Sequence, residues 1–354
     1  MQALTFGGIE TINHQSVPDP EILHPGDAIV QISMAGICGS DLHVYHGRET
    51  GLDDGTVMGH EFVGIVVEKG SGVKNFHKGS RVLSPFTTSC GDCFYCNIGM
   101  TCRCEKGNLF GWVQQENGLQ GAQAQYIRVP MADSTLISLS NDLSDEKGLL
   151  LGDIFSTGYF CADNIDIRPK GVYVVIGCGP VGLMTVVAAK HSGAEKLFAI
   201  DHVPGRLKKA NEFGAIALDP SQSDIKEIIF ESTDGRGADG VMEVVGSPEA
   251  LRLAIDLLRP GGTISTVGVH SEKKFPFSPV EAYDKNLVYK IGRCPAHFYA
   301  EKLIREGIVQ QYAIESIITH RFSLTGGSHA YKIFDRKEDN CIKPILLPQL
   351  IASD

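Results

Sequence analysis

The sequence predicts a two-domain α/β protein, in which a small, irregular β domain precedes a parallel sheet with helices on both faces. Three observations predict this fold class. The 354 residues exceed what one hydrophobic core usually fills. Residues 26–82 contain short apolar runs broken by glycines, a pattern typical of short strands. After about Asp153, strand-length apolar runs alternate with helix-length segments, which indicates parallel βα units.

Composition and charge limit the classes of partner. Hydrophobic residues make up 43% of the chain and charged residues 21%, which is ordinary for a globular protein. The formal net charge of -10 would repel nucleic acid and anionic lipid, so we expect neither nucleic acid nor a membrane as a partner. No apolar run of about eighteen residues occurs, and the N-terminus lacks the pattern of a signal peptide. We therefore expect a cytoplasmic protein.

Two short segments of the β domain predict a catalytic metal site. Residues 36–43 carry Cys38, and residues 59–64 carry His60 followed by Glu61. A thiolate and an imidazole from separate loops, with acid–base side chains beside them, suit a zinc ion that acts as a Lewis acid on an alcohol or carbonyl. A histidine beside a glutamate is more often an ordinary surface or core pair, so this prediction depends on the rest of the chain.

A second group of cysteines predicts a structural metal site. A C-x2-C-x2-C-x7-C pattern is formed by Cys90, Cys93, Cys96 and Cys104. Four thiolates close together in a loop match a closed tetrahedral zinc site, which stabilises a loop that has little core of its own. Cys102 is the surplus residue and can in principle replace Cys104. A redox-active pair would need only C-x-x-C and would leave two cysteines unexplained.

Residues 170–190 predict a nucleotide-binding turn. A β-branched apolar run leads into a G-x-G-x-x-G turn, and an apolar helix-length segment follows it. In this strand–turn–helix context the glycines allow a tight turn and let the backbone approach a pyrophosphate at the helix N-terminus. The residues predicted to contact the cofactor are Gly177, Gly179, Pro180, Val181 and Gly182.

An acidic residue at the end of the next predicted strand indicates which nucleotide binds. Residues 196–201 form an apolar run that ends in Asp201, 24 positions after Gly177. A carboxylate there can accept hydrogen bonds from both adenosine ribose hydroxyls and would repel a 2′-phosphate, which favours NAD over NADP. The basic residues His202, Arg206 and Lys208 nearby keep NADP open as the alternative.

The alternation of strands and helices continues to about residue 290. Residues 206–213 and 248–258 are predicted helices, and residues 240–246 and 261–268 are predicted strands. Such repetition implies a doubly wound parallel sheet. Beyond this point the pattern becomes mixed, and two further short helices are predicted at residues 301–306 and 327–334.

Together these residues resemble the zinc-dependent medium-chain alcohol dehydrogenase family, over nearly the whole chain. The signature G-H-E-x2-G-x5-G-x2-V is met by Gly59, His60, Glu61, Gly64, Gly70 and Val73. The resemblance implies a GroES-like β catalytic domain over residues 1–153, completed by residues 292–354. It also implies that residues 154–291 form a Rossmann-type, doubly wound NAD-binding domain.

The resemblance implies a set of ligands for a catalytic zinc. Cys38 and His60 match two of the ligands. Asp153 stands where many members have a cysteine ligand and some have an aspartate. Glu61 matches a neighbouring carboxylate that is able to enter the metal's shell. With the four-cysteine site, the resemblance therefore implies two zinc ions per chain.

The resemblance also implies a route for the proton and contacts for the cofactor. Ser40 and His43 match a relay that carries the alcohol's proton to solvent while a hydride passes to the nicotinamide. Arg206 matches a basic residue beside the adenosine. Arg293 and Lys343 are expected to reach the pyrophosphate or the nicotinamide end of the cofactor.

The function implied is that of an NAD-dependent, zinc-dependent oxidoreductase acting on an alcohol, a polyol or the corresponding aldehyde or ketone. Phe86, Phe110 and Trp112 are candidate walls of the substrate pocket. A homotetramer, or otherwise a homodimer, is expected from related chains. Two alternatives stay open: a zinc-free quinone or enone reductase of the same superfamily, and a non-catalytic zinc protein that senses NAD.

Overall fold

The structure of the chain is a computed structural model, which describes residues 1–350. The chain folds as two units. The first unit is Met1–Asp153 together with Pro295–Asp354, and the second unit is Ile154–Cys294. The first is built mainly from antiparallel strands and the second from a parallel sheet with helices, so the predicted α/β class is confirmed.

Most strands and helices of the described chain are short. The strands are β1 (Gln2–Phe6), β2 (Ile12–Ser16), β3 (Ala28–Gly36), β4 (Phe62–Lys69), β5 (Arg81–Ser84), β6 (Trp112–Gln114), β7 (Asn117–Leu119), β8 (Tyr126–Val129), β9 (Ile137–Ser138), β10 (Val172–Ile176), β11 (Lys196–Ile200), β12 (Ile216–Leu218), β13 (Ala238–Glu243), β14 (Leu258–Thr266), β15 (Val288–Ile291), β16 (Ile318–Phe322) and β17 (Lys343–Leu346). The helices are α1 (Gly39–Tyr45), α2 (Phe94–Asn97), α3 (Ala132–Thr135), α4 (Asp145–Gly152), α5 (Ile154–Asp163), α6 (Pro180–His191), α7 (Pro204–Glu212), α8 (Ile225–Glu231), α9 (Pro248–Leu257), α10 (Pro279–Asp284), α11 (Ala296–Arg305), α12 (Ile308–Gln311) and α13 (Gly327–Arg336).

The main sheet of the first unit brings distant segments of the chain together. Its strands run in the order β16-β17-β3-β4-β5-β9, and β8 also pairs with β3. The antiparallel pairing of β17 with β3 places Ile345 opposite Gly36. The C-terminal strand therefore lies directly beside the segment that leads to Cys38. Buried apolar residues of β3, β4 and α13, among others, form the core of this unit.

The second unit is a parallel sheet in the order β12-β11-β10-β13-β14-β15. This is the 3-2-1-4-5-6 order of doubly wound nucleotide-binding folds, in which ligands bind where the strand order reverses. The reversal lies between β10 and β13. All five residues of β10 are buried, as expected for a β-branched strand covered on both faces.

The predicted elements of the second unit are present with slightly shifted ends. The predicted strand over residues 240–246 is β13, and the predicted helix over residues 206–213 is α7. The sequence reasoning did not name α5, β12, α8, α10 or β15. All of these except α5 have seven residues or fewer, which are too few for a hydrophobic period to be recognised.

None of the helices in residues 1–350 combines the length and the apolar character that crossing a bilayer requires.

Candidate functional site

The four-cysteine group lies in the loop around α2. Its members are Cys90, Cys93, Cys96 and Cys104, whose sulfur atoms lie within 4.8 Å of one another. The Sγ atoms of Cys90 and Cys96 are 4.0 Å apart. In a tetrahedron with Zn–S bonds of about 2.3 Å, neighbouring sulfurs are roughly 3.8 Å apart. The group therefore fits a zinc ion in both donor type and spacing.

The structure brings Cys104, and not Cys102, to this group. A 3-10 turn, Thr101–Arg103, turns the side chain of Cys102 into a buried position, and Cys104 follows it. The Cys104 sulfur accepts a hydrogen bond from the backbone N–H of Cys90 at 3.2 Å. Hydrogen bonds from the backbone of Glu105 and Cys96 lower the pKa of Cys93 to about 6. The backbone of the loop therefore stabilises the thiolate of Cys93, whereas burial raises the pKa of Cys90 to about 12.

A second group of metal-ligand side chains is buried in the first unit. Cys38, His60, Glu61 and Asp153 each offer one donor atom, and these atoms lie within 4.8 Å of one another. The Asp153 Oδ2 atom lies 3.5 Å from the Cys38 sulfur and 3.4 Å from His60 Nε2. Zinc bonds of about 2.0–2.3 Å to N, O and S donors place such atoms at similar separations. This donor set fits a zinc ion.

Three different elements position the donor atoms. Cys38 is the N-cap of α1, where its backbone N–H donates to the Asp41 carboxylate at 2.9 Å. His60 lies two residues before the start of β4, and Asp153 directly follows the last residue of α4. A Cβ at Gly152 would lie 2.4 Å from the Ser84 carbonyl oxygen on β5, so a glycine is needed for α4 to end this close to the sheet.

The second carboxylate beside His60 orients its ring. His60 Nδ1 lies 3.4 Å from Asp41 Oδ1, and its other nitrogen faces Asp153 and the Ser40 hydroxyl. Burial alone would lower the pKa of His60, but Asp41 and Asp153 raise it well above its ordinary value. Donation from Nδ1 to Asp41 leaves the Nε2 lone pair for a cation, as in carboxylate–histidine–zinc arrangements.

A series of hydrogen bonds between buried side chains holds Asp41 in place. Gln123 Nε2 donates to Asp41 Oδ2 at 3.3 Å and to the Gly36 carbonyl at 3.2 Å. Tyr331 of α13 donates its hydroxyl to Gln123 Oε1 at 2.9 Å. Gly59 has φ +89°, and a Cβ there would lie 2.5 Å from the Gln123 side chain. The glycine of the signature is therefore required both by its backbone conformation and by the side chain packed over it.

Glu61 forms a fully buried ion pair with Lys343 of β17. Lys343 Nζ lies 2.6 Å from Glu61 Oε2 and also donates to the Ile37 carbonyl at 2.9 Å. Burial alone would lower the pKa of Lys343, but Glu61 is the main cause of its being raised overall. The expectation that Lys343 reaches the cofactor is wrong, because its side chain is buried against Glu61. A Cβ on Gly36 would overlap the same carboxylate at 1.9 Å.

The electrostatics of the buried group favour a cation. Burial raises the pKa of the Cys38 thiol, and the charges of Asp153 and Glu61 raise it further. Three acidic groups thus face one another in a buried site, where Lys343 pairs with Glu61 and His60 lies beside Cys38 and Asp153. A divalent cation between Cys38, His60 and Asp153 would remove this repulsion.

The two predicted relay residues lie on α1. Ser40 is half-buried, and its Oγ atom is 3.3 Å from His60 Nε2. His43 is half-buried and follows one turn later. His46 lies 2.7 Å from Asp335 and 3.5 Å from Glu10, so it is engaged at the other end of the helix. The contact with His60 therefore places Ser40 at the buried group.

The aromatic residues named as candidate walls differ in position. Phe86 lies edge-on to the His60 ring, with ring centroids 6.3 Å apart. Phe110 is buried in the core of the first unit, where it meets Phe62 edge-on. Trp112 packs partly buried against the same core. Of the three, Phe86 is the residue in contact with a member of the metal group.

The glycine turn of the second unit has the geometry that its sequence predicts. Gly177 has φ +94°, and Gly179 is the N-cap of α6, with Pro180 as the first helical residue. A Cβ on Gly182 would overlap the Gly177 carbonyl oxygen at 1.8 Å, so the helix approaches the turn as only glycine permits. Val181 lies between them, half-buried in the first turn of α6.

Asp201 lies at the end of β11 beside this turn. Its Oδ2 atom accepts a hydrogen bond from the Cys178 N–H at 2.7 Å, and its Oδ1 atom accepts from the N–H groups of His202 and Val203. The carboxylate is thus directed at the glycine turn by three backbone donors. It stands where an adenosine ribose is bound in folds of this class.

The two predicted cofactor arginines have different surroundings. A Cβ on Gly179 would lie 3.8 Å from the Arg206 guanidinium, so Arg206 is beside the glycine turn. Arg293 is exposed, two residues after β15, and its role stays a prediction.

Sequence reasoning missed three residues around the buried group, Asp41, Gln123 and Tyr331, and it missed the pairing of Lys343 with Glu61. Only Asp41 had a local signal, because an acidic residue three positions after an N-cap is typical of a helix start. Gln123, Tyr331 and Lys343 reach the site from segments that are distant in sequence.

Both units are similar to known dehydrogenases. A family model described as the alcohol dehydrogenase GroES-like domain matches residues 24–140. A second model, described as zinc-binding dehydrogenase, matches residues 180–294. The predicted GroES-like and Rossmann-type domains are therefore confirmed.

Individual relatives match over most of the chain. The zinc-type alcohol dehydrogenase B of Aspergillus flavus is 40% identical over 343 residues, covering 95% of this chain and 79% of that protein. A medium chain reductase/dehydrogenase of Acremonium sp. is 46% identical over 292 residues, covering 80% of this chain and 98% of the relative. The solved structure of alcohol dehydrogenase TADH from Thermus sp. ATN1 aligns with a TM-score of 0.91 at 38% identity, covering 98% of this chain and 99% of that one.

Proposed function

Because the chain belongs to the zinc-type alcohol dehydrogenases of the medium-chain dehydrogenase/reductase family, we propose that it transfers a hydride between an alcohol or polyol and NAD. The corresponding aldehyde or ketone is the substrate in the other direction. Family membership makes the chain an oxidoreductase of the zinc type. The coenzyme, the substrate class and the residue roles are the proposal.

The buried group of Cys38, His60 and Asp153 is the observation that carries this proposal. Their donor atoms lie within 4.8 Å of one another, and the three side chains come from separate segments of the first unit. A thiolate, an imidazole and a carboxylate would hold a zinc ion through three protein ligands, the number typical of catalytic zinc sites. The zinc-free reductases of the superfamily lack these catalytic ligands.

When bound, zinc supplies Lewis-acid activation of an alcohol or carbonyl oxygen. The chain's own residues orient the ligands and move the proton. Asp41 holds the His60 ring in the orientation that directs Nε2 at the donor group. Ser40 places its hydroxyl 3.3 Å from that nitrogen, where Oγ can take up the substrate's proton. His43, three residues further along α1, receives the proton on its way to solvent.

Glu61 is proposed as a carboxylate that Lys343 holds beside the ligands. Both of its oxygens lie within 3 Å of Lys343 Nζ, at 2.9 and 2.6 Å. Glu61 is therefore positioned to support the site without being required as a ligand.

The position of Asp201 supports NAD over NADP. Its carboxylate is fixed beside the glycine turn by the N–H groups of Cys178, His202 and Val203. A negative charge there would repel a 2′-phosphate and accept from ribose hydroxyls. Arg206 beside Gly179 is proposed to contact the adenosine, and Arg293 is proposed to contact the rest of the cofactor.

Metal analysis of one substitution tests the catalytic site. Purified protein is expected to hold two zinc ions, and Asp153→Ala is expected to lose one of them together with activity, because a ligand is removed. Asp153→Cys restores a donor of the type common in the family and is expected to regain the zinc. Asp145→Ala, at the other end of α4, is the matched control. A single zinc that survives Asp153→Ala would rule out the assigned site.

A substrate panel followed by NADH absorbance, run with NAD and with NADP, tests the reaction. Zinc-dependent turnover of alcohols or polyols with NAD is expected. Quinone reduction with NADPH that resists chelators would instead support the zinc-free reductase function. Tight NADH binding without turnover on any substrate would support the NAD-sensing function.

We also propose a cytoplasmic homo-oligomer, a tetramer or otherwise a dimer. Within residues 1–350 no cysteines are joined by a disulfide, which suits a reducing compartment. At the edge of the parallel sheet, β15 exposes Val288 and Ile291, and nearby Tyr283 is 82% exposed. An unpaired edge with apolar side chains suits pairing with a second copy. Light scattering that reports a monomer would contradict this proposal.

A further inference from the structure

A fully buried carboxylate lies at the carboxyl end of β13 in the second unit and has no part in the function proposed above. Glu243 is the last residue of that strand, and its side chain is inaccessible to solvent. Its Oε1 atom accepts hydrogen bonds from the N–H groups of Val245 and Gly246, each at 2.7 Å. Its Oε2 atom lies 3.0 Å from His270 Nε2. One side chain therefore links the turn after β13 to the segment after β14.

The partner, His270, lies four residues after β14, and its side chain is only 15% exposed. The hydrogen bond with Glu243 is the main cause that raises the pKa of His270 above its ordinary value, against the effect of burial. Its other ring nitrogen lies 3.7 Å from Glu272. The ring thus faces two carboxylates, which stabilise its protonated form.

The other ionisable groups that face Glu243 belong to α5 and β15. Burial raises the pKa of Cys161 to about 12, and the charge of Glu243 adds to the effect. Burial also raises the pKa of Tyr289, again with a contribution from Glu243. Both groups are therefore neutral near pH 7, and His270 is the group among them whose ordinary pKa lies closest to neutrality.

The linked turn packs directly against the glycine turn. A Cβ on Gly177 would lie 2.6 Å from a methyl carbon of Val245. On its other side, a Cβ on Gly268 would lie 2.2 Å from the Gly246 nitrogen. Gly246 itself has φ +79°, a conformation that glycine adopts at little cost. The turns after β10, β13 and β14 therefore form one packed layer without room for a side chain between them.

This layer lies at the carboxyl ends of the strands, next to the reversal of strand order between β10 and β13. Dinucleotides bind in that crevice in folds of this order. We propose that Glu243 and His270 are positioning residues for the cofactor, which hold the turn of residues 244–246 against the glycine turn. The inference rests on the proposed function only in assuming that a nicotinamide nucleotide is bound there.

Breaking the pair is expected to weaken cofactor binding without removing any cofactor contact. Glu243→Gln keeps the size of the side chain but loses the charge, and His270→Gln keeps a donor without a titratable ring. Each is expected to raise the dissociation constant for NADH roughly tenfold, because hydrogen bonds to a charged group are lost from a buried site. NADH fluorescence titration with zinc-loaded full-length protein measures the constant, and circular dichroism verifies folding.

The pH dependence separates this role from a merely structural one. The pair exists while His270 is protonated, so wild-type affinity is expected to fall as pH rises through its raised pKa. Titrations at about pH 6 and about pH 9, on either side of the ordinary histidine value, measure the change. In His270→Gln this difference is expected to be lost, and kcat is expected to change less than the KM for the coenzyme. Should Glu243→Gln fail to fold, His270→Gln alone decides the question.

The chain offers a matched control on the same strand. Asp239, near the amino end of β13, also accepts a backbone N–H, from Val172 at 2.9 Å, and also pairs with a cation, Arg259 at 2.7 Å. Asp239→Asn is expected to leave NADH binding unchanged. Equal weakening in Asp239→Asn, or dissociation constants within about twofold of wild type in both test variants, would overturn the inference while leaving the proposed function intact. A wild-type protein that binds neither NADH nor NADPH would overturn both.

Discussion

The two metal-ligand groups of the first unit differ in burial, chemistry and support. The four cysteines of the loop around α2 come from fifteen consecutive positions and lie near the surface. The group of Cys38, His60, Glu61 and Asp153 is buried, mixed in donor type and drawn from residues separated by as many as 115 positions. The first group is held by its own loop, whereas the second is held by the fold around it.

The two groups differ in which contacts stabilise them. In the cysteine loop, α2 has no buried residue, so the ligands supply most of the contacts that stabilise the loop. In the buried group, Asp41, Gln123 and Lys343 already occupy hydrogen-bonding positions around the ligands. We therefore expect metal removal to unfold the loop locally, and changes around the buried group to act on stability and on metal affinity together.

The largest effect is expected from breaking the cysteine loop. Cys96→Ser should remove the loop's zinc and leave the zinc of the buried group in place, because the two groups share no ligand. Zinc binding contributes on the order of 10 kcal/mol to small modules that fold around the metal, so residues 90–107 should become sensitive to protease. Zinc analysis and limited proteolysis measure both outcomes.

Cys102→Ser is the control for this prediction, since Cys102 lies in the same loop but outside the four-sulfur group. It should retain two zinc ions. Loss of zinc from Cys102→Ser would contradict the assignment of Cys104 as the fourth ligand.

The second-largest effect is expected from the buried ion pair of Glu61 and Lys343. Lys343→Met leaves Glu61 without its charge partner in a site closed to water. Removing one member of a buried pair costs about 3–5 kcal/mol, measured here as the free energy of unfolding in urea. The double variant Lys343→Met with Glu61→Gln should recover much of the loss. A single variant as stable as wild type would show that the pair is not needed.

A smaller effect is expected from the hydrogen bonds that join Asp41, Gln123 and Tyr331. Gln123→Met fills the same space but leaves Asp41 and Tyr331 without a hydrogen-bonding partner at this position. The expected cost is about 1–3 kcal/mol of unfolding free energy. Release of the buried zinc to a chelator should be faster, while the cysteine loop serves as the internal reference for zinc release.

Gln31→Met is the matched control, because Gln31 also bonds a tyrosine hydroxyl, that of Tyr126, in the same unit. It should leave zinc release unchanged. Equal acceleration of zinc release in Gln31→Met would mean that Gln123 has no special connection with the metal group.

The smallest effect is expected at Tyr331, the last member of this hydrogen-bonded series. Tyr331→Phe removes one hydroxyl and keeps the buried ring, so the expected loss is about 1 kcal/mol. Urea denaturation compares it with Tyr126→Phe. A larger loss than that of Gln123→Met would mean that Tyr331 acts through contacts other than Gln123.

Much of the molecule was predictable because its signals are local. The spacing of the cysteines, the glycine turn at residues 177–182 and the acid at Asp201 each occupy one continuous stretch whose geometry follows from the residues themselves. The cysteine spacing predicted Cys104 as the fourth ligand, but only the structure excluded Cys102, because that choice depends on the direction of a single 3-10 turn. Asp153 was assigned by family resemblance rather than by any pattern in its own segment.

By itself, the sequence determined the two-domain α/β class, the glycine turn and the donor types available to a metal. The tertiary structure alone decided what surrounds them. Lys343 meets Glu61 because β17 pairs with β3, and His270 meets Glu243 because β14 lies beside β13. Such pairings join residues far apart in the chain, and they are selected by the packing of whole strands rather than by the side chains that finally touch.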